Sequence, residues 1–282
     1  MTLPVPEPDR LFIALDIDGT VLLEDGTSSP GVEEAVAEAV DRGHAVTLAT
    51  GRSWESTHPV LDRLDIRPPY VVCANGATIM SRDADEPTGY ARHTIETFDA
   101  TEVLRFIRGH LPGASYMVEL GDGTRLFTDF MDDWDLNRPG AHQVPFDEML
   151  GLHVTRVVVV SPEHDGDDFN DFVERMGLQQ VTYAVGWSAW LDIAPQGVNK
   201  ATALEKVRAL LDVDPARIVV MGDGRNDVEM LAWAREGGGE AVAMGQAPLE
   251  VQQHASRLTL SVEGGGVAAA LSQLGAATST IR

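Results

Sequence analysis

The organisation of the chain starts from Phe12-Ile13-Ala14-Leu15-Asp16-Ile17-Asp18-Gly19-Thr20. Four apolar residues closed by a polar turn predict a first β-strand. Two carboxylates spaced by two at a strand's end can converge on one cation or substrate once the chain turns. With average residue frequencies, Asp-x-Asp-Gly-Thr arises by chance in a chain of this length about once in a few hundred sequences. An EF-hand calcium loop is excluded, because counting from Asp16 puts Val21 and Thr27 where Gly and Glu are required.

Outward from this strand, short apolar runs alternate with amphipathic segments. A helix is predicted from Pro30 to Arg42, with Val32, Val36 and Val40 on one face and Gly43 just past its end. Ala45 to Ala49 and Tyr70 to Cys73 follow as strands, with a helix between them starting near Ser53, so the segment reads as a βαβαβ unit. The polar run Arg82-Asp83-Ala84-Asp85-Glu86-Pro87 breaks the pattern, and a domain boundary is expected there. Beyond it, Ser115 to Glu119 and Thr124 to Thr128 form a hairpin pattern around Asp122-Gly123. Asp99 to Gly109 and Asp168 to Met176 read as helices; Arg156 to Val160, Val181 to Val185 and Trp190 to Ile193 read as strands.

The first kind of alternation resumes after Pro195. A helix from Asn199 to Leu211 leads to a strand at Ile218 to Met221, and a helix over Val228 to Ala234 leads to a strand at Ala241 to Met244. A helix from Pro248, a short strand near Leu258 to Leu260 and a helix after Gly266 complete the pattern. The expected fold class is α/β: a Rossmann-like parallel-sheet core, residues 1–82 and 196–282, with an inserted α+β domain at residues 83–195.

The chain has 282 residues, 44% of them hydrophobic, which suits a globular protein of one large or two smaller domains. Lys+Arg 21 against Asp+Glu 44 gives a formal charge of -23. Such a surface repels polyanions, so neither nucleic acid nor an anionic membrane is expected as a partner, and any phosphate must be held locally. The single cysteine, Cys73, excludes a disulfide framework and any site of several thiolates. Leu11 to Leu15 is cut off by Asp16, unlike a secretory signal, and no stretch reads as a transmembrane helix. A cytoplasmic protein is the expectation.

Further polar groups fall at the ends of other predicted core strands. Gly222-Asp223-Gly224-Arg225-Asn226-Asp227 again places carboxylates after a strand. Four Asp in two loops suggest a hard divalent cation such as Mg²⁺, although the second loop alone also suits the N-terminal turn of a helix. Thr50-Gly51-Arg52 ends the second strand, where a hydroxyl and backbone N–H groups at a helix start can hold a phosphate. Lys200 lies in the first turn of a helix with Asn199 as its N-cap, a place unfavourable to a cation unless it faces an anion. Open parallel sheets bind ligands outside the carboxyl ends of their strands, so these pieces can meet in one crevice.

With these motifs the sequence resembles the haloacid dehalogenase-like hydrolase superfamily, and within it the Cof-like phosphatases with a large α/β cap. The carrying residues are Asp16 to Thr20, Thr50-Gly51-Arg52, Asn75-Gly76-Ala77, Lys200 and Gly222 to Asp227. Ala243-Met244-Gly245-Gln246-Ala247-Pro248 is similar to the family's late loop, with Gln246 where Asn is commoner. The resemblance implies that Asp16 is a nucleophile forming an aspartyl-phosphate, and that Asp18 protonates the leaving oxygen and then activates water. It implies Mg²⁺ on the Asp16 carboxylate, the Asp18 carbonyl and Asp223, with Asp227 supporting the metal or orienting Lys200. Thr50, the Gly51 amide and Lys200 would bind phosphoryl oxygens, with Asn226 beside them.

Two roles stay open for Asn75, a substrate contact or a turn residue beside Gly76, and two for Arg52, a charge at the phosphate rim or a partner for a surface acid. The implied activity is a Mg²⁺-dependent phosphomonoesterase acting on a small phosphorylated metabolite, such as a sugar phosphate, in a monomer or weak homo-oligomer. A sugar phosphomutase using the same aspartyl-phosphate is the alternative. A non-catalytic sensor is disfavoured because both Asp16 and Asp18 are present, and a receiver domain because of the long insertion. The insertion would close over the crevice as a cap. Arg138, His142, Trp187 and Trp190 are its conceivable ligand contacts, but none has a motif.

Overall fold

The computed structural model describes residues 10–131, 136–161, 181–185 and 190–274. Along the chain come β1 (Phe12–Leu15), α1 (Val32–Asp41), β2 (Ala45–Leu48), α2 (Trp54–Arg63), β3 (Tyr70–Cys73), β4 (Thr78–Arg82) and β5 (Tyr90–Ile95). They are followed by β6 (Phe98–Asp99), α3 (Thr101–His110), β7 (Ser115–Leu120), β8 (Arg125–Phe127), β9 (Ala141–Gln143), β10 (His153–Val160), β11 (Val181–Val185) and β12 (Trp190–Pro195). The rest is α4 (Lys200–Leu210), β13 (Ile218–Gly222), α5 (Val228–Glu236), β14 (Glu240–Ala243), α6 (Leu249–Gln252), β15 (Arg257–Leu258) and α7 (Gly266–Leu274). The helix expected over Asp168 to Met176, and Trp187, lie outside the described residues.

The core is a five-stranded parallel sheet in the order β15-β14-β13-β1-β2. All four residues of β1 are buried because helices cover both faces. Ile13 and Leu15 pack with Val32 and Val36 of α1 and with Val267 and Ala270 of α7. Phe12 and Ala14 pack on the other side with Leu204 and Val207 of α4 and Met230 and Leu231 of α5. The expected α1 stripe is corrected at its last position: Val32, Val36 and Ala39 are buried, whereas Val40 is 41% exposed. Ala39 completes the i, i+4, i+7 face; Val40 lies one step of about 100° further round.

Two expectations about the first unit also change. β3 lies parallel to β2 only through the Ala49–Val72 bridge, and its full partner is β4, in an antiparallel sheet of order β3-β4-β5. The polar run after Arg82 is the turn of the β4–β5 hairpin, and Glu96 N–H still donates to the Ala77 carbonyl at 2.8 Å. The boundary expected after residue 82 therefore falls inside the β3-β4-β5 sheet, and the second large sheet, separate from it, begins at β6.

That second sheet has the order β11-β12-β10-β7-β8-β9, with β6 also on β10. One face packs Tyr116, Val118, Val157, Val159, Leu191 and Ile193 against Leu104 and Ile107 of α3. Side chains alternate across a strand, so Glu119, Arg125, Arg156 and Asp192 share the opposite face.

At the start of β2, buried His44 accepts the Leu11 N–H on Nδ1 at 3.1 Å, and its Nε2 meets no partner among the described residues. Burial, aided by Arg42, lowers its pKa below the ordinary value of 6.5. The unfolded chain binds the proton first, so stability is lost as pH falls below that ordinary value and through the depressed one. His44→Asn keeps an acceptor for Leu11 and does not titrate. Its urea midpoint is expected to fall less than the wild type's between pH 7 and pH 5; parallel curves would contradict this account.

Candidate active site

Parallel register sets β1 beside β13, and the Asp16 N–H donates to the Met221 carbonyl at 3.0 Å, so Asp16 and the Gly222-Asp223 loop leave the sheet together. After Asp16 the chain folds back at once, with the Val21 and Leu22 N–H groups on the Ile17 carbonyl at 2.8 Å. Gly19 has φ +74° there, and a Cβ on it would overlap the Asp223 carboxylate. Glycine is required by both the conformation and the space.

Lys200 enters from the first turn of α4, whose N-cap Asn199 accepts the Thr202 N–H at 2.9 Å. Its side chain is fully buried, and Nζ donates to Asp16 Oδ1 and to Asp227 Oδ1, each at 2.6 Å. Asp227 Oδ2 accepts the N–H groups of Asp223 and Gly224 at 3.0 and 2.9 Å, so both of its oxygens are engaged. Burial opposes the charge on Lys200, but Asp16 and Asp227 outweigh it and hold the ammonium above its usual pKa.

One ammonium does not neutralise three carboxylates. Burial and then the facing Asp227 push the Asp16 carboxyl well above its ordinary pKa, and the same causes push Asp223 up to about 7. Oxygens of Asp16, Asp223 and Asp227 lie within 4.8 Å of one another. An all-oxygen donor set with excess negative charge fits a hard divalent cation.

Asp18 is paired outside this cluster. Arg52 Nε and Nη2 donate to its two oxygens at 2.9 and 2.5 Å, so Arg52 does pair with an acid, and that acid belongs to the site. Thr50 is buried and its Oγ1 accepts the Arg52 N–H at 3.1 Å, which leaves the hydroxyl hydrogen free to point elsewhere. Asn75 has φ 50°, and its Oδ1 accepts from Asn226 Nδ2 at 3.0 Å. A Cβ on Gly51 would come within 3.2 Å of the Asn75 amide, so the two loops are in contact. Gln246 closes the far side, donating to the Gly19 carbonyl at 2.6 Å and to Asp223 Oδ2 at 3.2 Å. Every residue expected at the site is thus gathered at the carboxyl end of the core sheet.

Two residues had no motif to reveal them. Arg156 Nη1 donates to the Gly51 carbonyl at 2.6 Å, and Asp192 Oδ2 accepts from Asn75 Nδ2 at 2.9 Å. The available signal was a lone Arg in the run Thr155 to Val160 and a lone Asp between Leu191 and Ile193. Arg138 bonds the Gly123 carbonyl at 2.9 Å and pairs with Glu55 at 3.2 Å; His142 is exposed and Trp190 half-buried.

An open parallel sheet with a buried carboxylate at the end of β1, an acidic loop after β13 and a buried lysine defines a class of phosphoryl-transfer enzyme. A model of the haloacid dehalogenase-like hydrolases matches residues 13–271, and the chain belongs to that family. It is a Cof-like phosphatase, a hydrolase of phosphoric monoesters. It is 29% identical over 267 residues to the 5-amino-6-(5-phospho-D-ribitylamino)uracil phosphatase YitU of Bacillus subtilis, covering 93% of this chain and 96% of that one. It is 27% identical over 260 residues to the pyridoxal phosphate phosphatase YbhA of Escherichia coli, covering 86% and 91%. In fold it is similar to a haloacid dehalogenase-like hydrolase from B. subtilis, with TM-score 0.76 and 22% identity over 94% of this chain and 99% of that one. No helix among the described residues is long and apolar enough to cross a membrane.

Removing the Lys200 ammonium strands two buried carboxylates against each other. Lys200→Met is expected to cost about 3–5 kcal/mol, read from urea unfolding with an unchanged slope. A loss below about 1 kcal/mol, the size of an exposed pair, would contradict a structural role for the link.

Proposed function

We propose that the chain is a Mg²⁺-dependent phosphomonoesterase that passes the phosphoryl group of a small phosphorylated metabolite, of the sugar phosphate kind, to Asp16 and then to water. The observation that carries this reading is the Asp16 carboxylate at the end of β1, held by Lys200 and within 4.8 Å of the other carboxylates. The curated relatives support a small phosphorylated substrate: one is named for a ribityl phosphate and another for pyridoxal phosphate.

Asp16, Asp223 and the Asp18 carbonyl would hold Mg²⁺. Asp227, with both oxygens engaged, orients Lys200 and supports the loop. The cation, when bound, offsets the repulsion between an anionic nucleophile and an anionic phosphate. An oxygen of Asp16 bonds to phosphorus as the bond from phosphorus to the leaving oxygen breaks, and Asp18 gives that oxygen its proton. Water then attacks the aspartyl-phosphate, Asp18 takes a proton back, and the Asp16 carboxylate is restored. Lys200, the Thr50 hydroxyl and the Gly51 amide stabilise the phosphoryl oxygens.

Arg52 has a further part in this reading. Both Asp18 oxygens are engaged by the Arg52 guanidinium, so Asp18 can reach a leaving oxygen only once Arg52 leaves it. An incoming phosphate dianion is a stronger partner for Arg52, and binding would thereby release Asp18. The unit built on the second sheet is the cap, and the crossing between units falls near residues 96–98.

The test is phosphate release from a panel of sugar phosphates and other phosphomonoesters, with Mg²⁺ and with EDTA. Wild type is expected to release phosphate from a few members only with the metal, and Asp16→Asn to fold and release none. Normal turnover by folded Asp16→Asn would refute the mechanism. Isomerisation dependent on a bisphosphate activator, without release, would assign a mutase instead.

A further inference from the structure

On β10 and β12 of the second sheet, Arg156 and Asp192 form a two-bonded ion pair, Nε to Oδ1 at 3.2 Å and Nη2 to Oδ2 at 2.9 Å, with side chains only 2% and 4% exposed. Glu119 and Arg125, an equally buried pair at 2.9 Å, stand beside it: Glu119 is the register partner of both Arg125 and Arg156. Four charged groups on one sheet face are costly to bury and add little net stability even when paired. Arg156 and Asp192 also bond outside this sheet. Both cross to the first unit, and both end on its phosphate loops.

Arg156 Nη1 holds the Gly51 carbonyl. That carbonyl and the Arg52 N–H belong to one planar peptide, so fixing the oxygen fixes the N–H that bonds Thr50 Oγ1. The bond received from Arg52 sets the rotation of the Thr50 hydroxyl and leaves its hydrogen to donate. Asp192 holds the Asn75 amide, whose oxygen holds Asn226, the neighbour of Asp227 and hence of Lys200. Asn75 sits at φ 50°, in the left-handed region that asparagine adopts more readily than most L-residues, and its side chain is held from both units.

We propose that Arg156 and Asp192 are positioning residues that set the geometry of the phosphate pocket from the second unit, so that Thr50 and Asn75 are aligned only while the two units are joined. The proposal rests on the phosphatase reading, and it separates these residues from leaving-group contacts. A positioning pair acts on the phosphoryl group common to all substrates, whereas a leaving-group contact acts on each substrate differently.

Inorganic phosphate with Mg²⁺ is therefore the first probe, titrated calorimetrically into wild type, Arg156→Lys and Asp192→Asn. Arg156→Lys keeps the charge but not the planar fork that spans Asp192 and Gly51. Asp192→Asn keeps shape and an acceptor, and carries the test if the lysine variant does not fold. Phosphate affinity is expected to fall about tenfold or more in both, and kcat/KM to fall by one common factor for two monoesters with unlike leaving groups. In an Asn75→Gly background, Asp192→Asn is expected to cost less than about twofold further, because its action runs through Asn75. Unchanged phosphate affinity in cooperatively folded variants, or losses that differ with the leaving group, would overturn the proposal. If wild type binds phosphate but hydrolyses no monoester, the phosphatase reading fails while the titration still decides the positioning. If wild type does not bind phosphate, both fail.

Discussion

The Lys200 ammonium, sealed from water between Asp16 and Asp227, is the interaction on which the rest of the site depends. It joins the end of β1, the loop after β13 and the first turn of α4, three segments far apart in the chain. A cation in the first turn of a helix opposes the helix dipole at a cost of about 0.3–1 kcal/mol, and two carboxylates at 2.6 Å more than offset it. The close approach explains the glycines around it. Gly19 lies against Asp223, Gly222 against Asp227 and Gly76 against the Asn199 carbonyl, and in each case a Cβ would overlap its neighbour. One lysine among three carboxylates leaves the cluster short of positive charge, and that deficit fits it to a divalent cation.

A second constraint links the units. On the polar face of the second sheet Glu119 pairs with Arg125 and Arg156 with Asp192, and the face also bonds Gly51 and Asn75. The junction therefore includes these directional hydrogen bonds and the ion pair of Arg138 with Glu55. Hydrogen bonds of this kind can break and re-form without exposing a large apolar core.

Much of this was legible in the sequence, for a physical reason. Core strands buried on both faces read as unbroken apolar runs, as Phe12 to Leu15 and Ile218 to Met221 do, and polar residues directly after them stand out. β4 and β5 were not legible: β5 is half-buried and rich in polar residues, so the hairpin turn after Arg82 looked like a linker. Arg156 and Asp192 were missed because their pairing depends on strand register and on a neighbour reached only across the two units. Lys200 carried a weak signal of its own, an ill-placed cation; the resemblance implied Asp227 beside it, and the fold added Asp16.

The proposed mechanism requires Asp16 to become covalently phosphorylated during turnover. Acid quenching in the steady state, followed by mass spectrometry of the peptide spanning Phe12 to Thr20, tests it most directly. A phosphoryl group on Asp16, absent without Mg²⁺ and convertible to homoserine by borohydride, is the expected result. Turnover with that peptide unmodified, and with the label on another residue or on none, would contradict the account.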